Sequence, residues 1–269
     1  MSGLSAPVVL VGAGNMGGAI AAGWLRSEPP LRPIIVDPSP SDTVFGWQGA
    51  GQVDLNPAPR PAGVLMVGVK PQVFPTVVDT LKAWVGPETL VISIMAGVTL
   101  AGLEAALGTR RCIRVMPNTP GAIGKGVALV SPSSACKPED METARALLGP
   151  LGHVEGPMDE AMLQAATGLS GCGPAYVFLL AEVLASAAED LGVPSDMAAR
   201  LALHTIDGSA SLLAASEQPA SALRRAVTSP NGVTQAALEV LMGEGAMPSL
   251  FKDALKAALA RDKALSSGE

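Results

Sequence analysis

The chain has 269 residues and a mass of 27.1 kDa, room for one large domain or two of ordinary size. Its 18 Lys and Arg against 24 Asp and Glu give a net charge of −6 and a pI near 5.0, and an acidic chain with no basic run is a poor candidate for gripping nucleic acid or an anionic membrane. A hydrophobic content of 48% with a mean hydropathy of +0.37 excludes disorder, and an aromatic content of 3% argues against stacked-base or sugar-platform binding.

Cys112, Cys136 and Cys172 lie far apart without a CxxC pair, which speaks against a zinc cluster, any other metal site or a disulfide scaffold, and fits a reducing compartment. Residues 1–25 carry no charge, but a basic leader is missing and glycines occupy the place of an apolar core. The expected location is cytoplasmic. The uncharged stretch Ala161–Ala181 is long enough to span a bilayer, yet it contains Gln164, Thr167, Ser170, three glycines and Pro174. It reads as a buried, broken helical region.

In chain order, the first half alternates short apolar runs with helical stretches. Pro7–Val11, Pro33–Asp37, Gly63–Val69, Thr89–Met95, Arg111–Met116 and Gly126–Val130 are near-continuous hydrophobic strands bounded by Gly or Pro. Gly14–Leu25, Val73–Val85, Ala101–Leu107 and Glu139–Leu148 are helix-compatible. The alternation predicts an α/β fold, a doubly wound parallel sheet over residues 1–157. Beyond Pro157 the strand signals stop. Asp159–Leu169, Pro174–Leu191, Pro194–Ala215, Val233–Met242 and Ser249–Leu265 all read as helices, an all-α domain over 158–269. In Pro174–Leu191 the polar residues reduce to a narrow stripe of Glu182, Ser186, Glu189 and Asp190. Such a helix needs cover on several sides, from a second subunit or from the middle of its own bundle. A second subunit is expected, because the helical half is short.

Val8–Val11 runs into Gly12-Ala13-Gly14-Asn15-Met16-Gly17, a helix follows, and Asp37 ends the next strand about 20 residues beyond Gly17. This is the dinucleotide fingerprint: Gly12 for the tight turn, Gly14 for approach of a pyrophosphate, Gly17 for helix–strand packing. The helix start presents free N–H groups and positive potential to the phosphates. Asp37 would accept from a ribose 2′-hydroxyl and repel a 2′-phosphate, and no Lys or Arg follows until Arg60. The expected cofactor is NADH or NADPH, with NADH favoured.

Proton carriers are scarce. His153 and His204 both read as structural, the first before a short strand and the second within a helix. No lysine occurs between Lys137 and Lys252. Lys70, at a strand end, is either a cofactor-side residue or an ordinary surface lysine. The chain therefore suits a substrate that accepts hydride without a demanding proton transfer, such as a protonated imine.

These motifs resemble the pyrroline-5-carboxylate reductases, the last enzymes of proline synthesis. The likeness runs nearly end to end. It covers the glycine loop, Val69-Lys70-Pro71-Gln72, Ser93–Gly97, Arg114–Pro120, Leu169–Phe178 and Thr228–Thr234. The resemblance implies reduction of L-1-pyrroline-5-carboxylate to L-proline by NAD(P)H. It implies a cofactor set against Gly12, Gly14, Asn15, Met16, Gly17, Asp37, Asn56, Val69, Lys70, Pro71, Ala96 and Gly97. It implies a substrate site at Ser229, Asn231, Gly232, Val233 and Thr234, and an interlocked homodimer able to assemble further.

The second loop also makes physical sense from its own residues. Ser229-Pro230-Asn231-Gly232 is turn chemistry before a helix, whose first amides can hold a carboxylate while Thr234 reaches the ring nitrogen. Thr234 is accordingly the expected catalytic residue, with helix capping as its structural alternative. The family commonly has Gly at Asn231, Thr or Ala at Val233 and Ser at Cys172. Asn tolerates a positive φ, so the loop can keep its shape. Cys172 reads as a small packing residue and Tyr176 as a helix-packing residue. Two other functions remain open at this point: reduction of the six-membered cyclic imine acid, and a nucleotide-sensing protein without catalysis.

Overall fold

Strands buried on both faces need helices on both sides, and the first half of the chain supplies them in alternation. The computed structural model describes residues 6–267; Met1–Ser5 and Gly268–Glu269, the ends of the two expected domains, lie outside the described residues. The chain runs β1 (Val8–Val11), α1 (Asn15–Arg26), β2 (Ile34–Val36), α2 (Asp42–Gly49), β3 (Asp54–Leu55), β4 (Val64–Val67), α3 (Phe74–Lys82), β5 (Leu90–Ser93) and α4 (Leu100–Leu107). There follow β6 (Cys112–Pro117), β7 (Gly126–Pro132), α5 (Pro138–Leu148) and β8 (Gly152–Glu155). The helical region is α6 (Glu160–Ser170), α7 (Gly173–Asp190), α8 (Ser195–Ala215), α9 (Ala220–Ala226), α10 (Val233–Leu241) and α11 (Met247–Ser267).

The eight strands lie in the order β3-β2-β1-β4-β5-β6-β7-β8. Side chains alternate across the sheet as the two-residue period of a strand requires. Val8 and Leu10 of β1, Val64 and Met66 of β4, and Ile113 and Val115 of β6 face one core, closed by Ile20 and Trp24 of α1, Val44 of α2 and Leu147 of α5. Val9, Val11, Leu65, Val67 and Val91 face the other, closed by Leu81 of α3, Trp84, and Leu103 and Leu107 of α4. Trp24 is fully buried, and its indole N–H donates to the Leu147 carbonyl at 2.7 Å, pinning α1 to α5.

Three features differ from the sequence reading. The β6–β7 pair is antiparallel, with Arg114 opposite Ser131. A single 3-10 turn at Thr119–Ile123 joins the two strands, too short for the crossover that a parallel pair needs. His153 lies within β8 rather than before it. The stretch Ala161–Ala181 is broken, between α6 and α7, but it is not buried inside one chain. Phe178, Leu179 and Val183 of α7 are 60%, 56% and 55% exposed, and no residue of α7 is buried. A helix at the middle of its own bundle would look otherwise.

Two compact units result. The first comprises residues 6–172 with 258–267, and the second Gly173–Ala257. In the first, Arg114 of β6 is completely buried and its Nη1 donates to Glu160 Oε1 at 3.0 Å. The same oxygen accepts the Leu100 N–H at 3.0 Å, so one carboxylate joins the starts of α4 and α6 to the sheet. In the second, α7 and α8 pair as a helical hairpin, and Tyr176 meets Phe251 edge-on at 6.0 Å.

Asp140 carries the other main ion pair. Its Oδ1 accepts from Arg111 Nη2 at 2.6 Å and its Oδ2 from Arg111 Nε at 3.0 Å and the Lys137 N–H at 2.9 Å. Burial alone would raise this carboxyl; the hydrogen bonds and the guanidinium charge outweigh burial and hold it below the usual carboxylate range. A depressed folded-state pKa stabilises the fold above the unfolded value and loses that contribution as pH falls through the folded one. Asp140→Asn is expected to lose about 2 kcal/mol at pH 7, the scale of a hydrogen bond to a charged group, measured by urea unfolding. The gap from the parent should close below about pH 4.

Candidate active site

The strand order reverses at β1, where β2 and β3 lie to one side and β4 and β5 to the other. At such a switch point the loops leaving the carboxyl ends diverge and open a crevice. The crevice here has a volume of about 410 Å³ and is lined by Gly14–Met16 after β1, Gly68–Pro71 after β4 and Ile94–Ala96 after β5. Of the expected cofactor residues, Gly14, Asn15, Met16, Val69, Lys70, Pro71 and Ala96 all meet in it. Gly68, Ile94 and Met95 line it too, although none was among the expected cofactor residues. Ile94 and Met95 lie in the Ser93–Gly97 run that carries the resemblance, whereas the signal for Gly68 was only its place at a strand end.

The glycines of the loop do three different jobs. Gly12 has φ +90, and a Cβ there would stand 2.9 Å from the Gly68 carbonyl and the Val69 nitrogen. A Cβ on Gly17 would overlap the Gly12 carbonyl oxygen, whereas one on Gly14 would meet nothing within 4 Å. The first and third glycines thus close the backbone packing, and the second leaves space over the crevice. Gly14 is the N-cap of α1 and, lacking a side chain, accepts no hydrogen bond from the first amides. The first amides of α1 are therefore free to meet an anion. Gly97 follows the crevice with φ +74 and packs against Leu265.

Asp37 ends β2 in a set of fixed contacts. Its Oδ2 accepts the Ala13 N–H at 2.7 Å and its Oδ1 the Ser39 N–H at 2.9 Å. Asn56, just beyond β3, has φ 47. Its Oδ1 accepts the Asp37 N–H at 2.9 Å and its Nδ2 donates to the Asp37 carbonyl at 2.8 Å. Arg32, before β2, is taken up by Asp54 at 2.7 Å.

The expected substrate residues all fall in the second unit, on one turn and the first turn of α10. The Gly232 N–H donates to the Ser229 carbonyl at 3.0 Å. Asn231 has φ 57, and its N–H donates to Gln235 Oε1 at 2.8 Å. Gly232 caps α10 without a side-chain hydrogen bond. Val233 is 91% exposed, and Thr234 beside it is also exposed. Gln235, which sequence reasoning passed over, holds the turn together.

Other titratable groups fit the reading of scarce acid–base chemistry. His153 pairs with Glu155 at 2.9 Å on β8, the sheet edge opposite β3. Burial pushes the Cys112 thiol up to about 12, and burial likewise raises Cys136, so neither is a ready nucleophile. Among the described residues no group of three or more His, Cys, Asp or Glu could hold a metal ion.

Comparison with known proteins agrees with this architecture. A family model described as pyrroline-5-carboxylate reductase dimerisation matches residues 160–265. A second, NADP oxidoreductase coenzyme F420-dependent, matches residues 7–97. The chain is 36% identical over 264 residues to the pyrroline-5-carboxylate reductase of Pseudomonas aeruginosa, spanning 96% of each chain. It is 36% identical over 260 residues to that of Pisum sativum, covering 95% of this chain and 94% of the relative. The pyrroline-5-carboxylate reductase of Coxiella burnetii superposes with a TM-score of 0.88 at 33% identity, over 97% of this chain and 99% of that one. The Plasmodium falciparum pyrroline carboxylate reductase, solved with NADP bound, superposes with a TM-score of 0.81 at 26% identity, over 97% and 98%. With one-third identity along nearly its whole length, the chain belongs to the pyrroline-5-carboxylate reductase family.

Proposed function

We propose that this protein reduces L-1-pyrroline-5-carboxylate to L-proline, with the region before residue 158 holding the nucleotide and the region after it holding the imino acid. The observation that carries the assignment of roles is a pair of glycine-capped helix starts, at α1 and α10, whose first amides no side chain satisfies. The pyrophosphate would meet Asn15, Met16 and the turn Val69–Pro71, over the space left open at Gly14. When bound, a reduced nicotinamide supplies the hydride, which adds to the carbon of the C=N bond.

The imino acid carboxylate would be held by the amides of Val233 and Thr234, aided by the positive end of α10. The Thr234 hydroxyl then accepts a hydrogen bond from the protonated ring nitrogen and fixes the plane of the C=N bond. That proton stays on nitrogen, so no side chain has to deliver one. Most of the rate enhancement comes from positioning and from removal of water around a cationic electrophile. Ser229, Asn231 and Gly232 shape the turn that aims these groups. The purified protein is expected to oxidise NAD(P)H on addition of pyrroline-5-carboxylate, and to do so far more slowly with the six-membered homologue. Thr234→Ala should cut kcat/KM at least about tenfold, on the order of 1.4 kcal/mol, with the circular dichroism spectrum and Tm unchanged.

For the nucleotide, NADH is the preferred form. The Asp37 carboxylate faces the ribose end of the fingerprint, Pro38 and Pro40 have no N–H, the Ser39 N–H is already used, and Arg32 is paired with Asp54. A 2′-phosphate would meet a carboxylate without a compensating cation. Steady-state assays should give a higher kcat/KM with NADH than with NADPH, and Asp37→Ser should shift that ratio toward NADPH by about tenfold.

The uncovered apolar face of α7 lies inside the matched dimerisation region, and a second copy of the chain is its proposed cover, in the cytoplasm, where the three free thiols stay reduced. Analytical ultracentrifugation is expected to find no free monomer at micromolar concentration, and Leu184→Asp, which places a charge on that face, should yield monomer.

A further inference from the structure

Asn56 is an exposed residue held at φ 47, a conformation that costs most side chains on the order of 1 kcal/mol. Such a cost persists where something else fixes the backbone. Here the Asn56 N–H completes the ladder to the Ile35 carbonyl at 2.9 Å, while both ends of its side-chain amide close on the backbone of Asp37, at 2.9 and 2.8 Å. Asp37 in turn spends its two carboxylate oxygens on Ala13 and Ser39, at 2.7 and 2.9 Å. The order of dependence runs from β3 through Asn56 to the Asp37 backbone, then through its carboxylate to the first amide of the glycine loop.

From this geometry we propose that Asn56 is a positioning residue that sets nucleotide choice through Asp37. By clamping the backbone of Asp37 on both its N–H and C=O, Asn56 aims the carboxylate so that one lone pair of each oxygen holds the protein. The remaining lone pairs point outward to accept the two hydroxyls of an unphosphorylated adenosine ribose. A carboxylate free to rotate would lose that aim and, with it, part of the repulsion felt by a 2′-phosphate. The inference rests on the assignment of Asp37 to the ribose and adds the residue that makes Asp37 selective.

The consequence is a change in ratio rather than in overall affinity. Asn56→Gly keeps the positive φ accessible and removes only the side chain, which separates the clamp from backbone strain. Direct binding of NADH and of NADPH to the full-length protein, followed by titration calorimetry, reads the effect without turnover. Asn56→Gly should weaken NADH about fivefold, the scale of one lost hydrogen bond, while NADPH binding holds or improves. In the Asp37→Ala background the same change should leave the NADH to NADPH ratio unaltered. Equal weakening of both nucleotides, or an undiminished effect in the Asp37→Ala background, would overturn the inference and leave the ribose assignment standing. If Asp37→Ala itself leaves the ratio untouched, the ribose assignment falls and the inference with it.

Discussion

Backbone packed on backbone, with no room for a methyl group, is the contact on which the nucleotide half depends. Gly12 lies against the Gly68 carbonyl, its N–H donates to the Val36 carbonyl at 2.9 Å, and its own carbonyl crowds the Cα of Gly17. Three strand ends are thereby drawn together around one turn. Because β1, β2 and β4 converge there, the loops that follow them have nowhere to go but outward, and the crevice opens between them. The open space at Gly14 has meaning only because the neighbouring positions have none.

The two helix starts assigned to anions are capped by glycine, whereas α3, α8 and α9, also without a side-chain cap, begin after Val73, Pro194 and Pro219. Ser41, Thr99 and Asp159 cap α2, α4 and α6 with their own side chains, at 3.4, 3.1 and 2.7 Å. Each of those side chains takes up one of the first amides of its helix. At α1 and α10 the cap is glycine in an extended conformation, with no side chain to accept from the first amides. Glycine is nearly as good as a polar cap for helix stability, so leaving these amides free costs little. Under the proposed function the same local chemistry would serve a diphosphate in one unit and a carboxylate in the other.

Much of this was legible in the sequence, and the failures have physical causes. The fingerprint could be read because its spacing is dictated by covalent geometry at one turn. The buried strands β1, β4, β5 and β6 could be read because both faces are apolar. β3 escaped because it is two residues long and half solvent-facing. α2 escaped because it buries only Val44 and so shows no apolar stripe. β8 was read only as a short strand after His153, its start misplaced because it is an edge strand whose residues are all at least partly exposed. The grip of Asp37 on Ala13 spans 24 residues, and the hold of Asn56 on Asp37 spans 19. Contacts set by strand order leave no local pattern. The role of Gln235 was missed for a different reason: it looks like an ordinary surface residue of a helix until the positive φ of Asn231 gives it a partner.

The narrow polar stripe on α7 shows how an apparent excess of hydrophobicity carries information. A helix with apolar residues on nearly every side could lie at the centre of a bundle, in a bilayer or at an interface. The exposure of Phe178, Leu179 and Val183 within one chain removes the first of these. The break at Gly171–Cys172, with Gly173 opening α7, cuts the apolar run into two helices that differ in burial. Its first segment buries Leu163 against Met116 and Leu129 of the sheet. A run packed at one end on the sheet and bare at the other is the form expected of a subunit interface, where the apolar face is completed by an identical surface. The large share of uncharged, weakly aromatic helix in a chain of net charge −6 is then no anomaly, because a matching surface on a second copy would take it out of water.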